Sequence, residues 1–242
     1  MKRNLLVLAA LLATVATASA QTYRVHKTNG EVVKYQNDEV AYIDFVVEQK
    51  IEPVDLGLPS GTLWSPVNIG ATQPEEYGDY FAWAEVATKE WYNWSNYTHC
   101  DEGNQWKMHS EPGTDIVGSD YDAAHVLWGE NWVMPTSAQF SELFSICEKE
   151  LTTLNDVKGY RFIGPNGNSV FFPLSGRYTD QYMDDTKVEL TGSWGYYWSG
   201  TRYEYNDRDA YLLYIGGSST TKLLSQSRYC GYPIRPVVKI EI

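Results

Sequence analysis

Cysteine and histidine are scarce in this chain, with three Cys and four His among 242 residues. Three cysteines cannot build the disulfide framework of a small stapled domain. Cys147 falls on the apolar face of an expected helix, where a buried inert thiol belongs, while Cys100 and Cys230 leave one bridge open that spacing does not decide. His26, His99, His109 and His125 lack the paired spacing of a metal-binding helix, and the cysteines match no zinc pattern. No metal and no cofactor are therefore expected. Long apolar runs are also lacking. The run "NLLVLAALLATVAT" near the start is too short to cross a bilayer, so no membrane span is expected. Basic side chains are few. Without Lys2 and Arg3, 17 remain against 31 acidic ones, a formal charge of −14. Such a surface repels phosphate backbones and anionic lipid, which excludes nucleic acid as a partner.

The chain does begin with a recognisable leader. "MKR" is a basic n-region, the apolar run an h-region, and Ala18-Ser19-Ala20 an A-x-A cleavage site, so residues 1–20 are expected to be a signal peptide. Gln21 follows the cut, and the acceptor thiol of a lipid-anchored protein is missing there. The expected location is exported: periplasmic, cell-surface or secreted. Residues 21–47 are expected to form a small β module. Asn29-Gly30 sits between two β-prone runs as a hairpin turn, and "EVAYIDFVV" supplies a third strand. Residues 48–53, with Pro53, read as a linker to a main domain over 54–242.

Within the main domain two helices are expected. "SDYDAAHVLWG" would be capped by Ser119 or Asp120 and closed by Gly129. "PTSAQFSELFSICEKEL" opens on a Thr136/Gln139 capping box and sets Phe140, Leu143, Phe144, Cys147 and Leu151 on one core face. Strands and turns follow in "YRFIGPNGNSVFFPLSGRY", "GYYWSGT", "AYLLYI" and "PIRPVVKIEI", with Pro165-Asn166-Gly167-Asn168 as a turn. Strands, then two helices, then strands make an α+β domain. "TLWSPV" and "IRPVVKIEI" are apolar, β-prone and otherwise unpaired, so they are expected to lie side by side. Trp64, Trp83, Trp128, Trp132 and Trp198 are expected in the core and its rim.

Several segments together carry a resemblance. "VDLGLPSGTLWSPVNIGA", "EEYGDYFAWAE", "NWVMPTSAQFSELF", "GYRFIGPNGNSVFFPLSG", "YYWSGT" and "IRPV" occur in the order found in the "major paralogous domain" family of Bacteroidetes and Fibrobacter surface proteins. The resemblance covers residues 54–240 or so. That family is similar in turn to the formylglycine-generating-enzyme branch of the C-type lectin-like fold. It implies two helices with twisted antiparallel sheets, first and last strands paired, and a long irregular ligand-facing region. The activity of that branch does not carry over. Its enzymes use two closely spaced cysteines near the C-terminus, where "SQSRYCGYP" offers only Cys230, and its iron-dependent relatives need three histidines without counterparts here. Glu111-Pro112-Gly113 and Tyr205-Asn206-Asp207 are poor echoes of the calcium motifs of sugar-binding lectins.

The stretch "RYEYNDRDAYLLY", residues 202–214, interleaves aromatics with charges. Ten of the 19 tyrosines lie between Tyr178 and Tyr232, among Ser, Gly, Asn and Arg, the mixture of an adaptable paratope. Alternation along "DAYLLYI" would turn Tyr211, Leu213 and Ile215 inward and Leu212 and Tyr214 outward. Tyr196, Arg202, Tyr203, Tyr205, Asp207, Arg208, Tyr214, Tyr229 and Tyr232 are accordingly expected to converge on one exposed face. The expected function is non-enzymatic binding of a protein or glycan on a cell or phage surface. Tyr197-Trp198-Ser199-Gly200-Thr201 and Arg228-Tyr229-Cys230-Gly231 with Arg235-Pro236 also resemble the landmarks that bracket the variable segment of proteins diversified by retroelements. Two alternatives stand beside this one. One is an enzyme of formylglycine-generating type using Cys230 or a metal, the other a structural surface or fimbria-associated subunit.

Overall fold

A computed structural model describes residues 22–26, 32–36, 51–109, 111–129, 131–179, 188–216 and 220–238. The expected leader, the expected Asn29-Gly30 turn and the expected strand "EVAYIDFVV" lie outside the described residues. The chain divides into two compact units, residues 1–49 and 50–242. In the first, β1 (Thr22–His26) runs antiparallel to β2 (Val32–Gln36), with Val25 opposite Val33.

The second unit is mixed α+β, with two helices and three antiparallel sheets among the described residues. One sheet joins β3 (Val54–Asp55), β4 (Leu63–Trp64), β5 (Trp132–Val133) and β12 (Val237–Val238) in the order β3-β4-β12-β5. The expected meeting of the two ends is therefore observed. Val237 pairs with both Trp64 and Val133, and Ser65 N donates to Pro236 O at 2.9 Å. The fully buried Arg235 lies just ahead of β12. Its Nε donates to Asn68 Oδ1 at 2.7 Å, Nη1 to Pro66 O at 2.6 Å and Nη2 to Phe171 O at 3.0 Å. Burial pushes its pKa down to about 10, and the planar fork is satisfied by amide oxygens.

Helix α1 (Ala123–Trp128) starts later than expected. Its cap is Asp122, not Ser119 or Asp120. The Asp122 carboxylate is fully buried, because it also reaches beyond the helix. Oδ1 accepts Ala124 N at 2.9 Å and His125 N at 3.1 Å, while Oδ2 accepts Gly118 N and Met134 N, both at 2.9 Å. Helix α2 (Ser137–Ile146) begins at the expected Thr136/Gln139 capping box and buries Phe140 and Leu143 completely. It stops earlier than the periodicity implies, since Cys147 is already extended. Leu151 thus leaves the helix face, falls in β6 (Glu148–Leu154) and is exposed. The cause is a hairpin with β7 (Val157–Ile163), turning at Asn155 and Asp156 with φ of 46° and 65°. Asn and Asp tolerate that left-handed pair, and the long register from Glu148↔Ile163 to Leu154↔Val157 replaces one more turn of helix. β8 (Ser169–Pro173) completes this sheet after the expected Pro165–Asn168 turn.

The third sheet carries β9 (Trp194–Arg202), β10 (Asp209–Gly216) and β11 (Thr220–Ser227) in the order β11-β10-β9. β11, "TTKLLSQS", is not among the expected strands. The sheet is covered on both faces. Tyr197, Leu213 and Ile215 pack with Phe140 and Leu143 of α2, whereas Tyr196, Trp198 and Leu212 join a second core with Phe81, Trp83 and Tyr92 from the irregular segment after β4. Leu212 is consequently buried, where one solvated face would have exposed it. Trp64, Trp83 and Trp198 are fully buried, and Trp128 and Trp132 are half-buried.

Candidate recognition surface

The loop from Tyr203 to Arg208, joining β9 to β10, is held stiffly by its own asparagine. Asn206 Oδ1 accepts Arg208 N at 3.0 Å and Asp209 N at 2.9 Å, while Nδ2 donates to Asp209 Oδ2 at 3.0 Å. Tyr203 N closes the loop on Asp209 O at 3.0 Å. Below it lies the fully buried Arg228, whose Nη1 donates to Asp207 O at 2.9 Å and whose main-chain N donates to Arg208 O at 2.9 Å. The Arg228 guanidinium stands over the Trp83 ring at 4.6 Å and the Tyr97 ring at 5.5 Å. Burial lowers its pKa, opposed by the neighbouring Tyr97. The loop is thereby tied to the core through its carbonyls, which leaves its side chains available.

Those side chains form a short aromatic ridge. Tyr205 is 78% exposed, and its ring lies 5.3 Å from the half-buried Tyr203, which meets Tyr211 edge-on at 5.2 Å. Arg208 stacks at 4.1 Å over Trp106, a side chain 73% exposed. Arg202 is half-buried at the loop's start, and Asp207 is exposed. Five of the expected residues, Arg202, Tyr203, Tyr205, Asp207 and Arg208, are thus gathered by the loop.

The other four are not there. Tyr196, Tyr229 and Tyr232 are buried, at 6%, 9% and 0% exposure, and the expectation of an exposed role for them is corrected. Tyr196 stacks on Tyr232 at 5.2 Å, and Tyr229 packs on Trp94 at 4.9 Å. The irregular segment covers this face of the sheet, so alternation sorts residues between two cores and not between core and solvent. Burial raises the Tyr232 hydroxyl well above the ordinary tyrosine range. Tyr214 is half-buried, stacked on Trp194 at 5.2 Å with Lys222 5.6 Å from its ring. It sits five positions along β10 from Asp209, about 17 Å from the loop at strand spacing, and belongs to a separate patch.

Trp106 escaped the sequence reading. Its one available signal was a large aromatic isolated in the polar stretch "DEGNQWKMHS". Also missed was a cleft of about 450 Å³ beside the loop, between the start of α2 and the strand ends. Among its lining residues are Glu204, Tyr211 and Leu223. The Tyr211 hydroxyl donates to Glu204 Oε2 at 2.5 Å, and this bond pushes the tyrosine pKa up to about 12.

His99 lies in the same core as Arg228. Its Nε2 stands 2.9 Å from Ala84 O and its ring between Tyr97 at 5.5 Å and Tyr121 at 5.4 Å. Burial lowers its pKa below the ordinary 6.5, opposed by the bond to Ala84. The unfolded chain then takes up the proton first as the medium is acidified. The His99 contribution to stability is expected to be present above 6.5 and to fall away as the pH drops below it. Melting temperatures across roughly pH 5 to 8 should show an acid-side decline that is smaller in His99→Gln.

Among the described residues, no group of three or more His, Cys, Asp and Glu is placed to hold a metal ion, and no helix is long and apolar enough to cross a membrane. Cys100 is a free buried thiol, its Sγ 3.6 Å from Tyr97 O, so the bridge to Cys230 left open by the sequence is not formed. In class, the molecule is a mixed α+β domain that presents a stiffened aromatic loop beside a small cleft. Comparison with known protein families, with characterised proteins and with solved structures finds no match to this chain.

Proposed function

We propose that this chain is an exported, non-enzymatic binding protein that recognises a protein or glycan through the 203–208 loop and Trp106. The observation that carries the proposal is the joint exposure of Tyr205 and Trp106, at 78% and 73%, the first on a loop whose backbone is already fixed and the second stacked against Arg208 of that loop. Large aromatics on a rigid support give contact area at little entropic cost, and central aromatic side chains dominate most recognition surfaces. The segments quoted above support membership of the "major paralogous domain" family and a C-type lectin-like fold, and the paired chain ends agree with that reading. Any retroelement-driven variation would act first on positions 202–208, since Tyr229 and Tyr232 are core.

Binding of the purified protein to cells and to glycan arrays tests the function. Tyr205→Ala and Trp106→Ala are each expected to weaken binding by about 2 kcal/mol, while Asp207→Ala changes it by less than about 1 kcal/mol. Melting temperatures should stay close to wild type, because neither aromatic is part of the core. Unchanged affinity in both aromatic variants would remove the loop from the function. Export has its own check: intact-mass analysis of the mature protein should give residues 21–242, and retention of "MKRNLL" would refute it.

A further inference from the structure

We propose that the cleft beside the recognition loop is a subsite for one neutral sugar ring, or two, at the end of a glycan. The inference rests on the recognition reading above and adds the ligand's chemistry. A volume of about 450 Å³ lies toward the small end of the ~300–1,000 Å³ range of small-molecule sites. It holds a small molecule and not a folded segment of a partner protein. Its walls offer the two things that a sugar needs. The Tyr211 ring and Leu223 give an apolar surface for the C–H face, while Ser137, Thr201, Asp115 and Glu204 give polar groups for hydroxyls.

The polar groups are held in place. Glu204 is fixed through Oε2 by Tyr211, and Asp115 through Oδ1 by Val117 N at 3.0 Å. The second oxygen of each carboxylate takes no hydrogen bond among the described residues. Thr201 Oγ1 accepts Ser137 N at 3.1 Å, which locks the strand end to the start of α2. Carboxylates accept from sugar hydroxyls strongly, since charge assistance roughly doubles such a bond. Arg202 also lines the cleft and brings one positive charge against the two carboxylates, so the balance, like that of the acidic chain around it, opposes a uronic or sialic acid. A calcium ion takes six or more oxygens, and no group of three or more ligating side chains occurs among the described residues.

Saturation-transfer NMR on the intact mature protein tests this directly. The probes are the methyl glycosides of glucose, galactose, mannose and N-acetylglucosamine, with methyl glucuronide and lysine amide beside them. At least one neutral glycoside is expected to receive saturation at its ring protons. Its affinity should fall by about tenfold or more in Tyr211→Ala and in Glu204→Gln, and stay unchanged in Leu151→Ala on β6. Thermal melts of the two cleft variants show whether the fold is kept. The milder Glu204→Gln retains the packing of the cleft, should Tyr211→Ala disturb it. Saturation of lysine amide or glucuronide alone, of no probe, or of a glycoside equally well in both cleft variants overturns the proposal. Cell binding that is lost in Tyr205→Ala, with no glycoside bound, refutes the sugar subsite alone and leaves the recognition surface standing. Glycoside binding with cell binding indifferent to Tyr205→Ala does the reverse.

Discussion

Truncating Trp198 to alanine is expected to destabilise the main domain by about 3–5 kcal/mol, among the largest effects of any single change. The side chain is fully buried on β9, opposite Leu212 of β10. Its ring meets Tyr232 at 4.5 Å, and its Nε1 donates to Phe81 O at 2.9 Å and Cys230 O at 3.2 Å. One residue therefore fastens the regular sheet to two irregular segments. Alanine would leave a cavity and two carbonyls with less satisfaction. Trp198→Phe keeps much of the packing and loses the N–H, so it should fall between wild type and alanine. Trp132→Ala, on a half-buried ring, should cost clearly less. Urea titration of all three variants measures the order, and a Trp198→Ala midpoint near wild type would contradict the packing described here.

Asp122→Ala should be comparably damaging, with a loss of at least about 3 kcal/mol. Four main-chain amides, of Gly118, Ala124, His125 and Met134, converge on this carboxylate in a place closed to water. Each buried donor left without an acceptor costs about 1–3 kcal/mol, and the cap of α1 is lost as well. Asp122→Asn retains one acceptor oxygen but sets an amide N–H₂ against main-chain donors, so it should be intermediate. The exposed neighbour Asp120, a cap by sequence alone, should tolerate alanine within about 0.5 kcal/mol. Equal losses at 120 and 122 would show that the helix cap had been assigned to the wrong residue.

The contrast between these aspartates shows how far local pattern reaches. Thr136 and Gln139 were legible because a capping box is closed by residues three apart, whatever surrounds it. The Pro165–Asn168 turn was legible for the same local reason. Asp122 was not, since its value comes from Gly118 and Met134, which only the fold brings to it. The end of α2 was misjudged because Leu151 satisfies helical spacing and strand pairing equally well, and the hairpin at Asn155-Asp156 decided between them. The candidate surface divides likewise. The composition of "RYEYNDRD" marked the loop itself, while Trp106 and the cleft arise from contacts across long stretches of chain.

The sequence by itself determined the α+β class, the pairing of "TLWSPV" with "IRPVV", the start of α2 and the aromatic character of the 202–208 loop. Each follows from propensity, capping or hydrophobic pattern, which act over a few residues. Only the tertiary structure decided which tyrosines face solvent. Strand alternation reports two faces but not what covers them, and here α2 lies on one face and the irregular segment on the other. Tyr196, Tyr229 and Tyr232 became core for that reason, whereas Tyr205, on the loop between β9 and β10, stayed exposed.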